Sequence, residues 1–399
     1  MNLYAAHHQW MTRPPDERFA SVEELHATAE QVRAQSQEHG GTLGGFQAMA
    51  RQGEILLRVG EAYLLRPTTW AFEQLTRRIG APPEYLQQLP VPLVVRLLNH
   101  GLGERRDMAA VSLLLSQPET GDPNQLALFD SPSAPSILRA VTGRAYARLW
   151  DAEITRALCT LEKQGWRVPP ARPAFPDQPG ARPATEADVL RSGQFGLSVK
   201  VGDPIAPAGL YLGDRSLFAF LISEDRRIAD GTAEGLSRGF FVWNSEVGYS
   251  TFGLSVFLFR HVCGNHIVWD VAKHEEIRLR HVEGNAEHAV KLLTEFVARY
   301  ADTSAREEER RIAAAKRHTL GRDEKDVVAK IAKMQLPAVT RARAREAWEI
   351  AVTHTDTDGP PTTTWGFAQG FTRLSQTIPY ANVRTALDRS AGRILMLAG

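Results

Sequence analysis

The sequence predicts an α+β fold in which a central antiparallel sheet with a β-β-β-α core is flanked by N-terminal and C-terminal helices. From 195 to 269, apolar, aromatic and β-branched residues alternate between turn residues, which is typical of strands. Before and after this stretch, apolar residues recur at helical spacing. Strands and helices therefore occur in separate runs, which does not fit a doubly wound sheet. We predict a mainly helical N-terminal region (1–135), a sheet core domain (136–300) and a C-terminal helical region (301–399).

The first elements follow from capping and turn residues. Ser21 and Glu24 form a capping box that begins a helix, which we expect to end at the glycine-dense stretch 40–45. That stretch lacks the spacing of a phosphate-binding loop, so we predict an ordinary loop. The segment Glu54–Leu65 is predicted to be a β-hairpin that turns at Gly60.

Further elements follow in the same way. Thr68 or Thr69 caps a short helix, and two more helices begin at the prolines of PPEYLQQLP and PVPLVVRLLNHGL. The segment ILRAVTGRAYARLWD is predicted to be a strand and a turn before the helix DAEITRALCTLEKQG. Two stretches, 116–136 and the proline-rich 168–187, are predicted to be loops. From 270 to about 351 the chain is predicted to be helical, and two helices follow a second loop.

Composition limits the class of protein. The 399 residues carry a formal net charge of +1, so overall charge neither favours nor excludes nucleic acid. The two cysteines, Cys159 and Cys263, are far apart, which excludes a disulfide framework and fits a reducing cytoplasm. The N-terminus does not resemble a signal peptide, and no apolar run approaches the roughly 20 residues of a membrane helix. We therefore expect a cytoplasmic protein without a membrane partner.

The segment Gly239–Asp270 holds the densest set of polar residues within an aromatic strand pair. These residues are Asn244, Glu246, Arg260, His261, Cys263, Asn265 and His266. Strand alternation places Tyr249, Phe257, Phe259 and His261 on one face of the sheet. This face is either covered by helices, or open so that bases stack on it while Arg and Lys hold phosphates. Exposure of Phe257, Phe259 and His261 distinguishes the two interpretations.

The sequence gives no reason to assign a metal, a cofactor or a catalytic residue. His261, Cys263 and His266 supply zinc donors as H-x-C-x-x-H, but a second half of a zinc site is missing. Glu246 lies in a turn, where it could cap backbone N–H groups, pair with Arg260, or orient a basic or metal site. No common hydrolase, metalloprotease, nucleotide-binding or calcium motif is present.

The helices after residue 299 carry many cations. Eight of these cations together outnumber the carboxylates nearby. They are Lys316, Arg317, Arg322, Lys330, Lys333, Arg341, Arg343 and Arg345. This pattern fits a surface that follows a phosphate backbone. An ordinary solvated helix surface explains it nearly as well.

Several motifs together resemble the phage/plasmid-like protein family known as domain of unknown function 932. They are QWMTRPPDERF, YLQQLP, LLNHGL, ILRAVTGRAYARLWD, FVWNSEVGYSTFGLSVFLFRHVCGNHIVW, WGFAQGFTRLSQ and AGRIL, which span about Gln9 to Leu395. His266 departs from the family pattern, where a glycine is expected. The resemblance implies a β-β-β-α centre similar to that of single-strand annealing recombination proteins, which is an analogy at the level of fold. It places Asn244, Glu246, Arg260 and Asn265 at special turns of the sheet, and the basic helix beside a DNA groove.

We therefore expect a nucleic-acid-binding protein of mobile-element type, which binds single-stranded DNA in recombination or replication and acts as a homo-oligomer. The residues expected to contact nucleic acid are Asn244, Tyr249, Phe257, Phe259, Arg260, His261, Asn265, Lys316, Arg317, Lys330, Lys333, Arg341, Arg343 and Arg345. Two alternatives remain. One is a metal-dependent hydrolase or nuclease that uses Glu246 with His261 or His266, and the other is a non-catalytic oligomeric interaction or defence protein.

Overall fold

The computed structural model describes residues 16–60, 63–104, 110–116, 135–174, 176, 181–193, 198–207, 209–232, 235–260, 265–267, 277–281, 286–302, 304–378 and 380–398. The helices within these ranges are α1 (Val22–Ala34), α2 (Thr69–Arg78), α3 (Pro83–Leu86), α4 (Val91–Glu104), α5 (Asp151–Lys163), α6 (Glu186–Gly193), α7 (Ala286–Ala301), α8 (Arg306–Arg317), α9 (Glu324–Lys333), α10 (Arg341–Thr353), α11 (Thr355–Asp358), α12 (Thr364–Ser375) and α13 (Ala381–Leu395). The strands are β1 (Glu17–Phe19), β2 (Ser36–Thr42), β3 (Phe46–Arg51), β4 (Glu54–Val59), β5 (Tyr63–Pro67), β6 (Ala110–Ser116), β7 (Ser136–Gly143), β8 (Trp166–Arg167), β9 (Arg172–Pro173), β10 (Arg182–Pro183), β11 (Pro204–Ala206), β12 (Leu210–Leu212), β13 (Leu217–Ile228), β14 (Leu236–Asn244), β15 (Phe252–Arg260), β16 (Asn265–Ile267) and β17 (Ile277–Leu279).

The main sheet confirms the predicted α+β fold and its β-β-β-α core. Its strand order is β1-β12-β13-β14-β15-β16, with β8 paired to β13 and β17 paired to β15. The long strands β13, β14 and β15 are antiparallel neighbours, and α7 is the next helix along the described chain. Strand β14 is buried along its whole length, as expected for a central strand with both faces covered.

Helices cover one face of this sheet with an aliphatic and aromatic core. Helices α1, α5 and α7 bury Leu25, Leu158 and Leu293 against Phe240 and Leu254 of the sheet. Each fully buried side chain of this size contributes about 1.5–3 kcal/mol of transfer free energy. This core fixes the position of the N-terminus of α5, which matters for the site described below.

The opposite face of the sheet is aromatic. Its buried side chains are Tyr211, Phe218, Phe220, Ile222, Phe241, Trp243, Phe257 and Phe259, and Ala381 of α13 packs against them. Phe257 lies over Gly239 of β14, and Trp243 lies over Gly253 of β15, each in direct cross-strand register. A side chain at either glycine would occupy the space of the ring, so these glycines are required for the packing.

The N-terminal part of the chain contains a second sheet in addition to its helices. Its strand order is β2-β6-β7-β5-β4-β3, in which only the β5–β7 pair is parallel. Helices α2 and α4 pack on one face of it. Strand β7 lies after residue 135 but belongs to this sheet, so a boundary at 135 would divide the sheet. The prediction missed it because pairing between distant strands leaves little trace in local periodicity.

Local predictions in this region were partly right. Ser21 Oγ accepts a hydrogen bond from the Glu24 amide at 3.1 Å, which confirms the helix start. Helix α1 ends at Ala34, however, because 36–42 pairs with β6 as strand β2. The predicted loop at 40–45 is thus half strand. The hairpin at Gly60 and the Thr68 cap of α2 are confirmed.

The proline-rich stretch predicted as a loop contains regular structure in its described residues. Strands β9 and β10 both pair with β11 in a three-stranded sheet. Arg182 binds both carboxylate oxygens of Asp188 at 2.9 and 3.0 Å. A small cluster of Ala171, Ala184, Val199 and Ile205 supplies the core that the sequence did not reveal.

Helices α8 to α13 form the C-terminal layer around a separate apolar cluster. Trp365 and Phe371 of α12 are buried at its centre, with Ile331 of α9 and Ile394 of α13. Side chains of Asp323, Thr340 and Thr363 cap the starts of α9, α10 and α12. None of the described helices is long and apolar enough to cross a membrane.

Candidate functional site

The aromatic face of the main sheet is closed. Phe257 is 1% and Phe259 is 2% exposed, so the predicted open stacking surface is wrong at these two positions. Arginines of α13 lie on the aromatic rings: the Arg389 guanidinium carbon is 4.8 Å from the ring centroid of Trp243, and that of Arg384 is 5.5 Å from that of Tyr211. The sequence places these rings on one face correctly, but it does not reveal that the last helix covers them.

Other predicted residues of this segment are placed only in part. The main chains of Arg260 and Asn265 pair in the β15–β16 ladder. Their side chains, and the whole of His261 and Cys263, lie outside the described residues. Tyr249 packs edge-on against Trp70 at 5.0 Å between ring centroids, and its hydroxyl accepts a hydrogen bond from Asn382 at 2.8 Å.

Glu246 lies in the turn between β14 and β15, and it is bound from the N-terminal side of the chain. One carboxylate oxygen accepts a hydrogen bond from the Asp151 amide at 2.8 Å. The other accepts from Arg139 Nη2 at 3.0 Å, in an ion pair that is largely buried. Arg148 also donates to the Glu246 carbonyl. Glu246 thus pairs with Arg139, which the sequence analysis did not single out.

A β-bulge explains why Arg139 reaches this turn. In the β6–β7 ladder Leu114 pairs with Ala140 and Leu115 pairs with Leu138, so Arg139 is the extra residue on β7. A bulge of this kind redirects a side chain relative to the regular alternation. Arg139 therefore also donates to Ser36 Oγ of β2 at 2.8 Å, which links the sheet edge to the turn.

Asn244 and Asp151 form a second buried pair beside Glu246. The Asn244 amide nitrogen donates to Asp151 Oδ1 and to the Leu149 carbonyl, both at 2.8 Å. Burial raises the pKa of Asp151 well above its ordinary value, and the nearby Glu246 charge raises it further. Asn244 is fully buried, so it is not available to a base in the way that we expected.

The rest of the turn is fixed by side chains from several elements. Trp70 Nε1 and Gln74 Nε2 donate to the Val247 carbonyl at 2.9 and 2.8 Å. The Tyr146 hydroxyl donates to the Ser245 carbonyl at 2.7 Å. Gly248 has a φ of 75°, a backbone conformation that favours glycine. These side chains hold the turn Asn244–Gly248 in place and thereby connect the two sheets. We call this turn the joint.

This joint has the geometry of a structural element. Glu246 is 2% exposed and both of its carboxylate oxygens accept hydrogen bonds, so it is not presented to a bound substrate. In the described part of the chain, no group of three or more His, Cys, Asp or Glu side chains is placed to hold a metal ion.

The cationic helices divide into paired and unpaired charges. Arg322 binds Asp326 at 2.8 Å and Arg345 binds Glu324 at 3.1 Å, so two of the cations are balanced locally. Arg343 is half-buried and donates to the Ala338 carbonyl at 2.7 Å. Lys316 is half-buried, with its ammonium 5.4 Å from the ring centroid of Trp365.

Four predicted cations remain exposed without a carboxylate partner among the described residues. Arg317 is at the end of α8, Lys330 and Lys333 are in the last turn of α9, and Arg341 begins α10. Of these, only Lys330 makes a polar contact there, to the Leu320 carbonyl at 3.3 Å. We define these four residues as the open cation set.

Comparison with known proteins identifies the family. Residues 198–388 match the family described as Domain of unknown function (DUF932), which covers β13 to β15, the Asn244–Gly248 turn and most of the C-terminal helices. The match confirms the predicted resemblance to that family for residues 198–388, which are just under half of the chain. The match is shorter than the expected span from Gln9 to Leu395. The curated proteins and the solved structures contain no match to the chain.

Proposed function

We propose that this protein binds single-stranded nucleic acid through its C-terminal helices, as a cytoplasmic homo-oligomer of mobile-element type in recombination or replication. The observation that carries the proposal is the open cation set: Arg317, Lys330, Lys333 and Arg341 are exposed without a carboxylate partner among the described residues. Unpaired surface cations attract phosphates because binding releases the counterions condensed on the nucleic acid.

The lack of a carboxylate partner distinguishes the open cation set from several exposed cations on neighbouring helices. Lys291 and Arg310, for example, form ion pairs with Glu295 and Glu307 at 3.9 and 3.5 Å. An exposed pair has little net field beyond a Debye length, about 8–10 Å in physiological salt. A phosphate approaching the molecule is therefore attracted most strongly where the cation is not paired.

The closed aromatic face changes the expected mode of binding. Phe257 and Phe259 are core residues, so base stacking on them does not contribute. Contacts would then be mainly to phosphates, which gives weak sequence preference and a strong dependence on salt.

The proposal is tested by fluorescence anisotropy of a labelled single-stranded oligonucleotide, titrated with the protein at several salt concentrations. We expect log affinity to fall linearly with log salt, with a slope of about −3 for four phosphate contacts on a single strand. Competition with a duplex of the same sequence tests the preference for single strands. Mass photometry of the same samples tests oligomerisation. No detectable binding at low salt would overturn the proposal.

A further inference from the structure

A cleft of about 560 Å³ lies beside strand β2, at the edge of the N-terminal sheet. It is outside both the turn joint and the cationic helices. Its lining residues are Glu38, His39, Gly40, Gly41, Thr42, Val111, Ser112 and Arg144. The volume falls in the range of small-molecule sites, roughly 300–1,000 Å³.

Gly40 keeps the floor of the cleft open. It pairs directly with Ser112 of β6, so the two residues face the same side of the sheet. A Cβ atom built on Gly40 would meet no other atom within 4 Å. Any larger side chain at this position would therefore project into free space rather than into the core.

The charges of the lining residues favour an anion. Glu38, the one carboxylate of the lining, is already bound by Arg148 Nε at 2.7 Å, and Arg148 itself does not line the cleft. Arg144 is exposed and has no carboxylate partner among the described residues. The lining thus carries one cation whose charge is not balanced, which favours an anion over a cation in the cleft.

We propose that this cleft binds a phosphate monoester of about the size of a nucleoside monophosphate. Arg144 supplies the positive charge, Thr42 and Ser112 supply hydroxyl donors, and the room above Gly40 takes the organic group. A guanidinium with neutral donors suits a phosphate, since that anion offers three terminal oxygens. The same chemistry occurs in a free small molecule and at the 5′ end of a nucleic-acid strand.

Isothermal titration calorimetry with adenosine 5′-monophosphate tests the proposal, with adenosine as the ligand lacking the phosphate. We expect adenosine to bind at least tenfold more weakly. Arg144→Gln removes the charge and Gly40→Val fills the cleft, and each should weaken binding of the monophosphate at least tenfold. The matched controls are Arg58→Gln, on an exposed position of β4, and Gly103→Val, where a Cβ also meets no atom within 4 Å. Both controls should leave the affinity unchanged.

A 5′-phosphorylated oligonucleotide and its unphosphorylated form distinguish the two sources of phosphate. Binding of the monophosphate that depends on Arg144 and Gly40 supports a free small molecule. The same dependence seen only with the phosphorylated strand supports a strand end. Equal affinity for adenosine 5′-monophosphate and adenosine together with equal affinity for the two strands would overturn the proposal. So would the absence of any effect of Arg144→Gln and Gly40→Val on binding of the phosphate ligands. Binding of the unphosphorylated strand tests the open cation set separately, and the cleft variants should not change it.

Discussion

The Asn244–Gly248 turn and the open cation set both carry polar groups that looked functional, but their surroundings differ completely. In the turn, Glu246 is buried and bound by the Asp151 amide and Arg139. On the helices, Lys333 and Arg341 are exposed to solvent. In this protein, the motif with the most polar residues is therefore a structural contact between two parts of the chain.

The reason for this difference is the cost of burying charge. A carboxylate is buried only when hydrogen bonds and a counter-charge replace its water, and the Asp151 amide and Arg139 do so for the two oxygens of Glu246. An exposed lysine keeps its hydration and can exchange it for a phosphate. The family match contains the turn but not Arg139, Asp151 or Trp70, so the matched segment depends on the N-terminal part for its polar partners.

The largest expected effect concerns the aromatic face. Phe259→Ala should lower the free energy of unfolding by about 4 kcal/mol because it leaves a cavity in a covered face. Tyr85→Ala, at a side chain that is 59% exposed, is the matched control and should cost far less. Urea denaturation measures both. Loss of DNA affinity in a fully folded Phe259→Ala protein of unchanged stability would restore the stacking interpretation.

A slightly smaller effect is expected at the joint. Glu246→Gln should lower the free energy of unfolding by about 3 kcal/mol, since Arg139 would keep a buried charge without its partner. Glu307→Gln removes an exposed partner of Arg311 and should cost about 0.5 kcal/mol or less. Chemical denaturation of the two variants compares them. Equal small effects would mean that the turn is not a structural joint.

A pH effect is expected at the end of the chain. Burial raises the pKa of Asp388 in α13 from 3.8 to about 7, although Arg384 and the Ser375 hydroxyl partly oppose this shift. The folded state thus holds a proton that the unfolded chain loses, so this group's contribution to stability falls as pH rises from about 4 to about 7. Asp388→Asn stays neutral and should be about 2 kcal/mol more stable than the wild type at pH 8.

The measurement is urea denaturation of wild type and Asp388→Asn at pH 5 and pH 8. The two proteins should be close in stability at pH 5, where Asp388 is protonated in the folded state. A stability difference that stays constant across this range would show that Asp388 does not titrate as described.

The sequence predicted the local elements and the main sheet, but not the residues that pair with each other over long separations. Local signals come from neighbours in sequence. They predicted the helix caps Ser21 and Thr68 and the strand pattern from 217 to 260. The N-terminal sheet was missed because β2, β6 and β7 are defined by pairing over long separations.

The candidate site shows the same limit. Alternation placed Phe257 and Phe259 on one face of the sheet, but only the three-dimensional position of α13 decides that this face is covered. The choice of Arg139 as the partner of Glu246 depends on a bulge in β7, which no periodicity in the sequence reveals. The exposed cations were identified in advance, but their pairing was not.

The measurement that tests the central claim most directly compares two variants with equal loss of charge. One replaces the open cation set with glutamine (Arg317→Gln, Lys330→Gln, Lys333→Gln, Arg341→Gln). The other replaces four exposed cations that have carboxylate partners, Lys291, Arg310, Arg322 and Arg345. Anisotropy titrations of single-stranded DNA should show at least tenfold weaker binding and a salt slope smaller by about 3 for the first variant. The second variant should retain most of the wild-type affinity and slope. Equal losses in the two variants, or no loss in the first, would contradict the account.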